Sequence, residues 1–107
     1  MSKTLEKIQG LADVGDILIS EHGYDELSND NLTAREIVGG VKSAVLIEDY
    51  PNYPKGAAVL VLQKDSSGRS VHAVWGIPKG HDRPAVLVTA YYPDPQRWND
   101  TFTERKR

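Results

Sequence analysis

The stretch Ser70-Val71-His72-Ala73-Val74-Trp75-Gly76, followed by Ala85-Val86-Leu87-Val88-Thr89-Ala90-Tyr91-Tyr92-Pro93, decides the fold. Both pieces are short runs of β-branched, aliphatic and aromatic residues bounded by Gly or Pro, and such runs read as strands. A third run, Ala57-Ala58-Val59-Leu60-Val61-Leu62-Gln63, precedes them. Between it and the first lies Asp65-Ser66-Ser67-Gly68-Arg69, which suits a three-residue hairpin loop with Gly68 in the left-handed conformation. That loop sets the register: Leu62 opposite His72 and Leu60 opposite Val74. Both faces of residues 57–63 are apolar, which implies a central strand covered on both sides or a contact between two copies. The connection over residues 77–84 is too long to fix the register of the strand at 85–92.

Working outward toward the N-terminus, the pattern turns helical. Leu5, Ile8, Leu11 and Ala12 recur at helical spacing and Gly15 ends the series. Residues 16–20 form a short extended piece leading into Ser20 as an N-cap, with His22 in the first turn of a helix that reaches Leu27 and breaks at Asn29-Asp30-Asn31. Thr33-Ala34-Arg35-Glu36 is a capping box. Behind it Ala34, Ile37, Val38, Val41 and Val45 trace one apolar face. Gly39 and Gly40 weaken that helix by about 1 kcal/mol each relative to Ala, which predicts a close neighbour there. Tyr50-Pro51 and Tyr53-Pro54 mark a loop, and Pro93-Asp94-Pro95 ends the sheet. One helical turn over residues 96–99 would then drop Trp98 onto the core.

At 107 residues the chain is expected to form one domain over 1–107, and 39% hydrophobic with 26% charged residues is ordinary globular composition. The absence of cysteine excludes disulfides and thiolate zinc sites and fits a reducing cytoplasm. No apolar run approaches the roughly 18 residues of a membrane helix, and Met1-Ser2-Lys3-Thr4-Leu5-Glu6-Lys7 lacks the apolar centre of a signal peptide. A cytoplasmic protein without membrane contact is the expectation. The formal charge of −2 and pI near 5.9 oppose non-specific grip on phosphates. Basic residues nonetheless crowd two places. Arg97, Arg105, Lys106 and Arg107 gather toward a C-terminal tail at 103–107, and Lys79, His81 and Arg83 share one loop. Charge runs of this kind usually mark solvated segments.

No strong enzyme motif is present. Gly76-Ile77-Pro78-Lys79-Gly80 has the outline of a phosphate loop, but Pro78 removes a donor and no Ser or Thr follows the lysine. His22, His72 and His81 lack the helical spacing of metal ligands, so no metal and no cofactor is expected. What remains is His22 and His72 together with Thr89, Tyr91 and a nearby cation, Lys79 or Arg83. That set equips metal-free phosphodiester cleavage: one group takes the 2′-hydroxyl proton, another protonates the leaving oxygen, and a cation steadies the phosphorane.

The ordered set Ile19-Ser20-Glu21-His22, Gly68-Arg69-Ser70-Val71-His72 and Val88-Thr89-Ala90-Tyr91-Tyr92-Pro93-Asp94-Pro95-Gln96-Arg97-Trp98 resembles the family called domain of unknown function 4258. The similarity covers about residues 15–99. It implies a RelE-like fold, shared with toxin ribonucleases in which helices pack on a small antiparallel sheet. It further implies RNA cleavage without metal, opposed by an antitoxin. Family members usually carry arginines four and eight residues after the helical His; here those positions are Glu26 and Asp30. Their charge removes phosphate affinity.

The expectation is an α+β domain with N-terminal helices packed on a three- or four-stranded antiparallel sheet, RelE-like. His22 and His72 are its acid–base candidates, Thr89 and Tyr91 its phosphate-positioning candidates, and Lys79 or Arg83 its substrate-binding cations. RNA, an antitoxin or other protein partner, and a second copy of the chain are the expected partners. A non-catalytic protein-binding or regulatory module on the same fold is the alternative.

Overall fold

The computed structural model describes residues 2–106. Arg107, counted above with the basic cluster, lies outside the described residues. The chain runs through α1 (Lys3–Asp13), β1 (Ile17–Ile19), α2 (Glu21–Asn29), α3 (Ala34–Gly40), a 3-10 turn (Val41–Ser43), β2 (Val45–Tyr50), β3 (Ala58–Lys64), β4 (Ser70–Gly76) and β5 (Ala85–Tyr91). The fold is α+β. Its sheet is five-stranded and mixed, not three- or four-stranded and antiparallel: the order is β1-β5-β4-β3-β2, with β1 parallel to β5.

Both additional strands sit at the edges. β1 is three residues long, too short to show a period, and its pairing with β5 joins Ile17 to Ala85 and Ile19 to Leu87. β2 begins at Val45, the residue that continues the apolar spacing of α3. The helix stops instead at Gly40, one 3-10 turn follows, and Val45 pairs with Leu62. A Cβ on Gly40 would stand 3.0 Å from Gln63 Nε2 and 3.1 Å from the Lys64 carbonyl, so the close neighbour at this glycine is β3. Gly39 has open space around it.

The central hairpin follows the predicted register, Leu62 facing His72 and Leu60 facing Val74. Its loop closes through Asp65 N–H to the Arg69 carbonyl at 2.9 Å and Gly68 N–H to the Asp65 carbonyl at 3.0 Å, with Gly68 at φ 86°. Asp65 Oδ1 also accepts from the backbone N–H groups of Ser67 and Arg69 at 2.9 and 2.8 Å. The capping box forms at α3, and its Glu36 reaches on to the backbone N–H of Ser66 at 3.2 Å, tying the helix to the hairpin loop.

Helices and strands share one apolar layer. Leu5, Ile8, Leu27, Ile37 and Val41 pack against Val59, Val61, Val71, Ala73, Trp75, Leu87 and Ala90. Within this layer the Trp75 indole donates to Gln63 Oε1 at 2.8 Å, and Gln63 Nε2 donates to the Ile37 carbonyl at 2.8 Å. Buried polar groups must find such partners or carry a desolvation penalty. The other face of the sheet carries Leu60, Leu62, His72, Val74 and Tyr91. There the chain after β5 makes a turn, with Arg97 N–H bonded to the Asp94 carbonyl at 3.0 Å, in place of the expected helical turn. It then doubles back so that Trp98 bridges Arg105. This C-terminal arm covers the His72 end of the face and leaves the Gly76 end open.

Candidate functional site

The site is built at the end of β5. His72 pairs with Tyr91 across β4 and β5, and Val74 pairs with Thr89 one step along. A bulge between Val74 and Trp75 shifts the pairing, so Leu87 returns to the helical side. The register thereby brings His72, Thr89 and Tyr91 onto one face. Rings of His72 and Tyr91 meet edge-on at 5.8 Å between centroids.

His72 is fully buried. Trp98 lies against it at 4.3 Å between centroids, and the His72 Nε2–H donates to the Phe102 carbonyl at 2.7 Å. Nε2 therefore carries the proton, and Nδ1 has no hydrogen-bond partner among the described residues. Burial holds the imidazole below its ordinary pKa, the Phe102 carbonyl opposes that effect, and the Arg105 cation adds to it. A neutral, sealed imidazole under the arm is the result. Tyr91 is half-buried, and desolvation raises its phenol, so it keeps its proton at neutral pH.

The remaining candidates stand elsewhere. His22 is exposed in the first turn of α2, with Nε2 3.6 Å from Glu26 Oε1. α2 begins beside β5, where Ser20 caps it by accepting from Gly23 N–H at 2.9 Å and donates to the Val88 carbonyl at 3.0 Å. A Cβ on Gly23 would meet the Leu87 carbonyl at 2.8 Å, so glycine lets α2 lie directly on the strand. Asp30, at one of the positions where arginine was expected, accepts from the Tyr92 backbone N–H at 2.9 Å and fastens α2 to the end of β5. Lys79 and Arg83 lie in the β4–β5 connection, at the opposite end of the strands from His72. The four steps from His72 to Gly76 alone span about 13 Å. Arg83 is held by Asp16, with a second bond of 3.0 Å from its terminal nitrogen, and that bond lowers the Asp16 carboxyl.

The cations beside His72 and Tyr91 come instead from the arm. A hollow of about 700 Å³ is lined by Tyr91, Tyr92, Asp94, Arg97, Trp98, Arg105 and Lys106 among others. Arg105 lies 5.0 Å over the Trp98 ring and pairs with Glu48 of β2. Arg69, from the hairpin loop, stacks 3.8 Å over Tyr92. The Tyr92 hydroxyl donates to Asp65 at 2.8 Å. Bonds from Ser67 and Tyr92 bring the Asp65 carboxyl down to about 2. Crowding of Arg97, Arg105 and Lys106 in the sequence was the available signal for this site. Their convergence with the tyrosines depends on the arm folding back, which charge patterning does not reveal. No group of three or more His, Asp or Glu side chains suited to a metal ion forms among the described residues. Nor is any helix among them long and apolar enough to cross a membrane.

The family model described as domain of unknown function (DUF4258) matches residues 19–92, from the end of β1 to the end of the sheet, and the chain belongs to that family. No curated protein and no solved structure matches it.

Proposed function

We propose that the chain is a RelE-like protein that binds RNA and cleaves it without a metal ion, at the hollow between β5 and the C-terminal arm. One observation carries this reading: on a chain of net charge −2, three cations and three aromatic rings converge on one hollow whose lining holds a single carboxylate, Asp94. Cationic side chains beside aromatic rings suit single-stranded RNA, because they meet both its phosphates and its bases. Tyr91, its phenol kept protonated by desolvation, donates to the departing 5′-oxygen. Arg97 and Arg105 balance the charge that develops on the phosphorane. His72 is a positioning residue behind Tyr91; exposed His22 stands on α2 outside the lining of this hollow, so the 2′-hydroxyl proton passes to solvent water as the oxygen attacks. The non-catalytic binding module is the second reading, favoured by the open apolar end of the sheet.

The test is cleavage of end-labelled RNA by purified protein in the presence of a chelator. Tyr91→Phe should slow cleavage by about 10²-fold, since general acid–base groups typically contribute 10²–10⁴. RNA binding without cleavage would remove the enzyme and leave a binding protein. Absence of both at low salt would remove the RNA reading altogether.

A further inference from the structure

The open end of the sheet face carries a second surface, distinct from the arginine-lined hollow. Tyr50, Ala58, Val74, Gly76, Val86 and Val88 line an apolar hollow of about 430 Å³. Through Tyr53, Gly56, Ile77 and Pro78 it shares its wall with a neighbouring hollow of about 500 Å³, whose charged lining is Lys3, Lys7 and Lys79. Lys55 stands at the apolar side. Among the described residues no carboxylate lines either hollow. Lys7 pairs with Asp82 at 2.6 Å, whereas Lys3, Lys55 and Lys79 have no carboxylate within 4 Å among the described residues.

The rim is apolar and exposed. Leu18 is 56% accessible, Tyr53 51% and Val88 37%. Leu18 pairs with Val86, so it prolongs the strip onto β1. Contiguous exposed apolar surface beside polar residues marks interaction sites. The wall is also preformed. Gly56 holds φ 127°, and a Cβ there would fall 2.0 Å from the Ile77 carbonyl, so only glycine lets this loop press against the β4–β5 connection. Lys79 N–H bonds the Lys55 carbonyl at 3.0 Å and Ile77 N–H bonds the Ala57 carbonyl at 2.9 Å. A rigid groove binds without the entropy loss of ordering a loop.

We propose that this groove docks a protein partner through a segment that alternates large apolar side chains with Asp or Glu. Apolar side chains enter between Val74, Val86 and Val88, and the carboxylates face Lys55, Lys79 and Lys3. Charge complementarity selects this occupant. A second copy docked by the same face would set lysine against lysine. RNA could set phosphates on the same lysines, but between Val74, Val86 and Val88 its bases would meet aliphatic side chains in place of the aromatic platform that stacking uses.

The experiment uses fluorescein-labelled synthetic peptides in which Leu and Phe alternate with Glu, with Lys replacing Glu or Ser replacing Leu and Phe as controls. Anisotropy titrations of the whole protein should show binding of the acidic apolar peptide and at least tenfold weaker binding of both controls. Val88→Asp should weaken the acidic peptide at least tenfold with the circular dichroism spectrum unchanged. The pair Lys55→Glu with Lys79→Glu should reverse the preference toward the Lys peptide. Equal binding of Glu and Lys peptides, or indifference to Val88→Asp, overturns the proposal. So does competition for the groove by polyuridine, or a concentration-dependent dimer that Val88→Asp dissolves, each of which names a different occupant.

Discussion

His72 and Trp98 meet edge to face, their ring centroids 4.3 Å apart and their planes at 87°. The contact joins the middle of the sheet to a segment beyond it, and it makes the C-terminal arm part of the core although most of its residues are polar. Trp98 is itself 7% accessible, so the pair closes the His72 end of the face.

Trp98→Ala should therefore destabilise the fold by about 3–5 kcal/mol, the usual range for truncating a buried indole. In a domain of this size that corresponds to a fall of about 10 °C or more in the thermal midpoint. Differential scanning calorimetry measures it. A midpoint unchanged within error would mean that the arm is not docked in solution.

Stability should fall in two steps on acidification. The folded state holds His72 below the ordinary imidazole value, so the unfolded chain takes up the proton first as pH drops. Its contribution is complete above about 6.5 and is lost from there down to the lower folded-state value. Glu36 and Asp65 are both held at about 2, by bonds led by Ser66 and Ser67 respectively. Their contribution is complete above the ordinary carboxylate range and is lost between that range and about 2. Urea midpoints from pH 8 to pH 3 should show both steps in the wild type and lack the upper one in His72→Asn. A flat profile between pH 7 and 5 would contradict the buried neutral imidazole.

Much of this architecture is written in short-range signals. The Thr33–Glu36 box, the Ser20 cap and the register of β3 and β4 are read from neighbouring residues, because a cap or a three-residue loop is decided within a few positions. The two edge strands are not local. β1 owes its place to a parallel pairing with residues almost seventy positions away, and Val45 fits a helical stripe until β3 claims it. The site divides the same way. The face shared by His72 and Tyr91 follows from strand alternation once the register across the β4–β5 connection is known. The arm's cations arrive by a reversal near Trp98, and the Lys79 loop points to the other end for the same topological reason: β4 and β5 run antiparallel.

Binding of single-stranded RNA should depend on Arg97 and Lys106, both exposed at the hollow. For single strands the logarithm of affinity falls with the logarithm of salt by about 0.7 per phosphate contact. Arg97→Ala with Lys106→Ala should lower that slope by about 1.4 and weaken binding at low salt. Anisotropy of labelled oligouridine at several salt concentrations measures both. An unchanged slope would place the RNA, if bound, elsewhere on the protein.

Gln63 is the polar hinge of the core, 2% accessible and bonded at 2.8 Å to both the Trp75 indole and the Ile37 carbonyl. Gln63→Leu keeps most of the volume but strips a partner from each, leaving one buried donor and one buried acceptor. Each such loss costs about 1–3 kcal/mol. Trp75→Phe removes the donor and leaves the Gln63 oxygen unpaired, with a further loss from the smaller ring. Combined, the two changes delete both ends of the indole bond, so no polar atom is left stranded at that end and the Ile37 carbonyl is the remaining orphan. The double variant should consequently be more stable than the sum of the single effects requires, by about 1 kcal/mol or more, as contacting residues in one network couple on that scale. Urea denaturation of the four proteins completes the cycle. Simple additivity would show that the indole and the amide do not share a bond in solution.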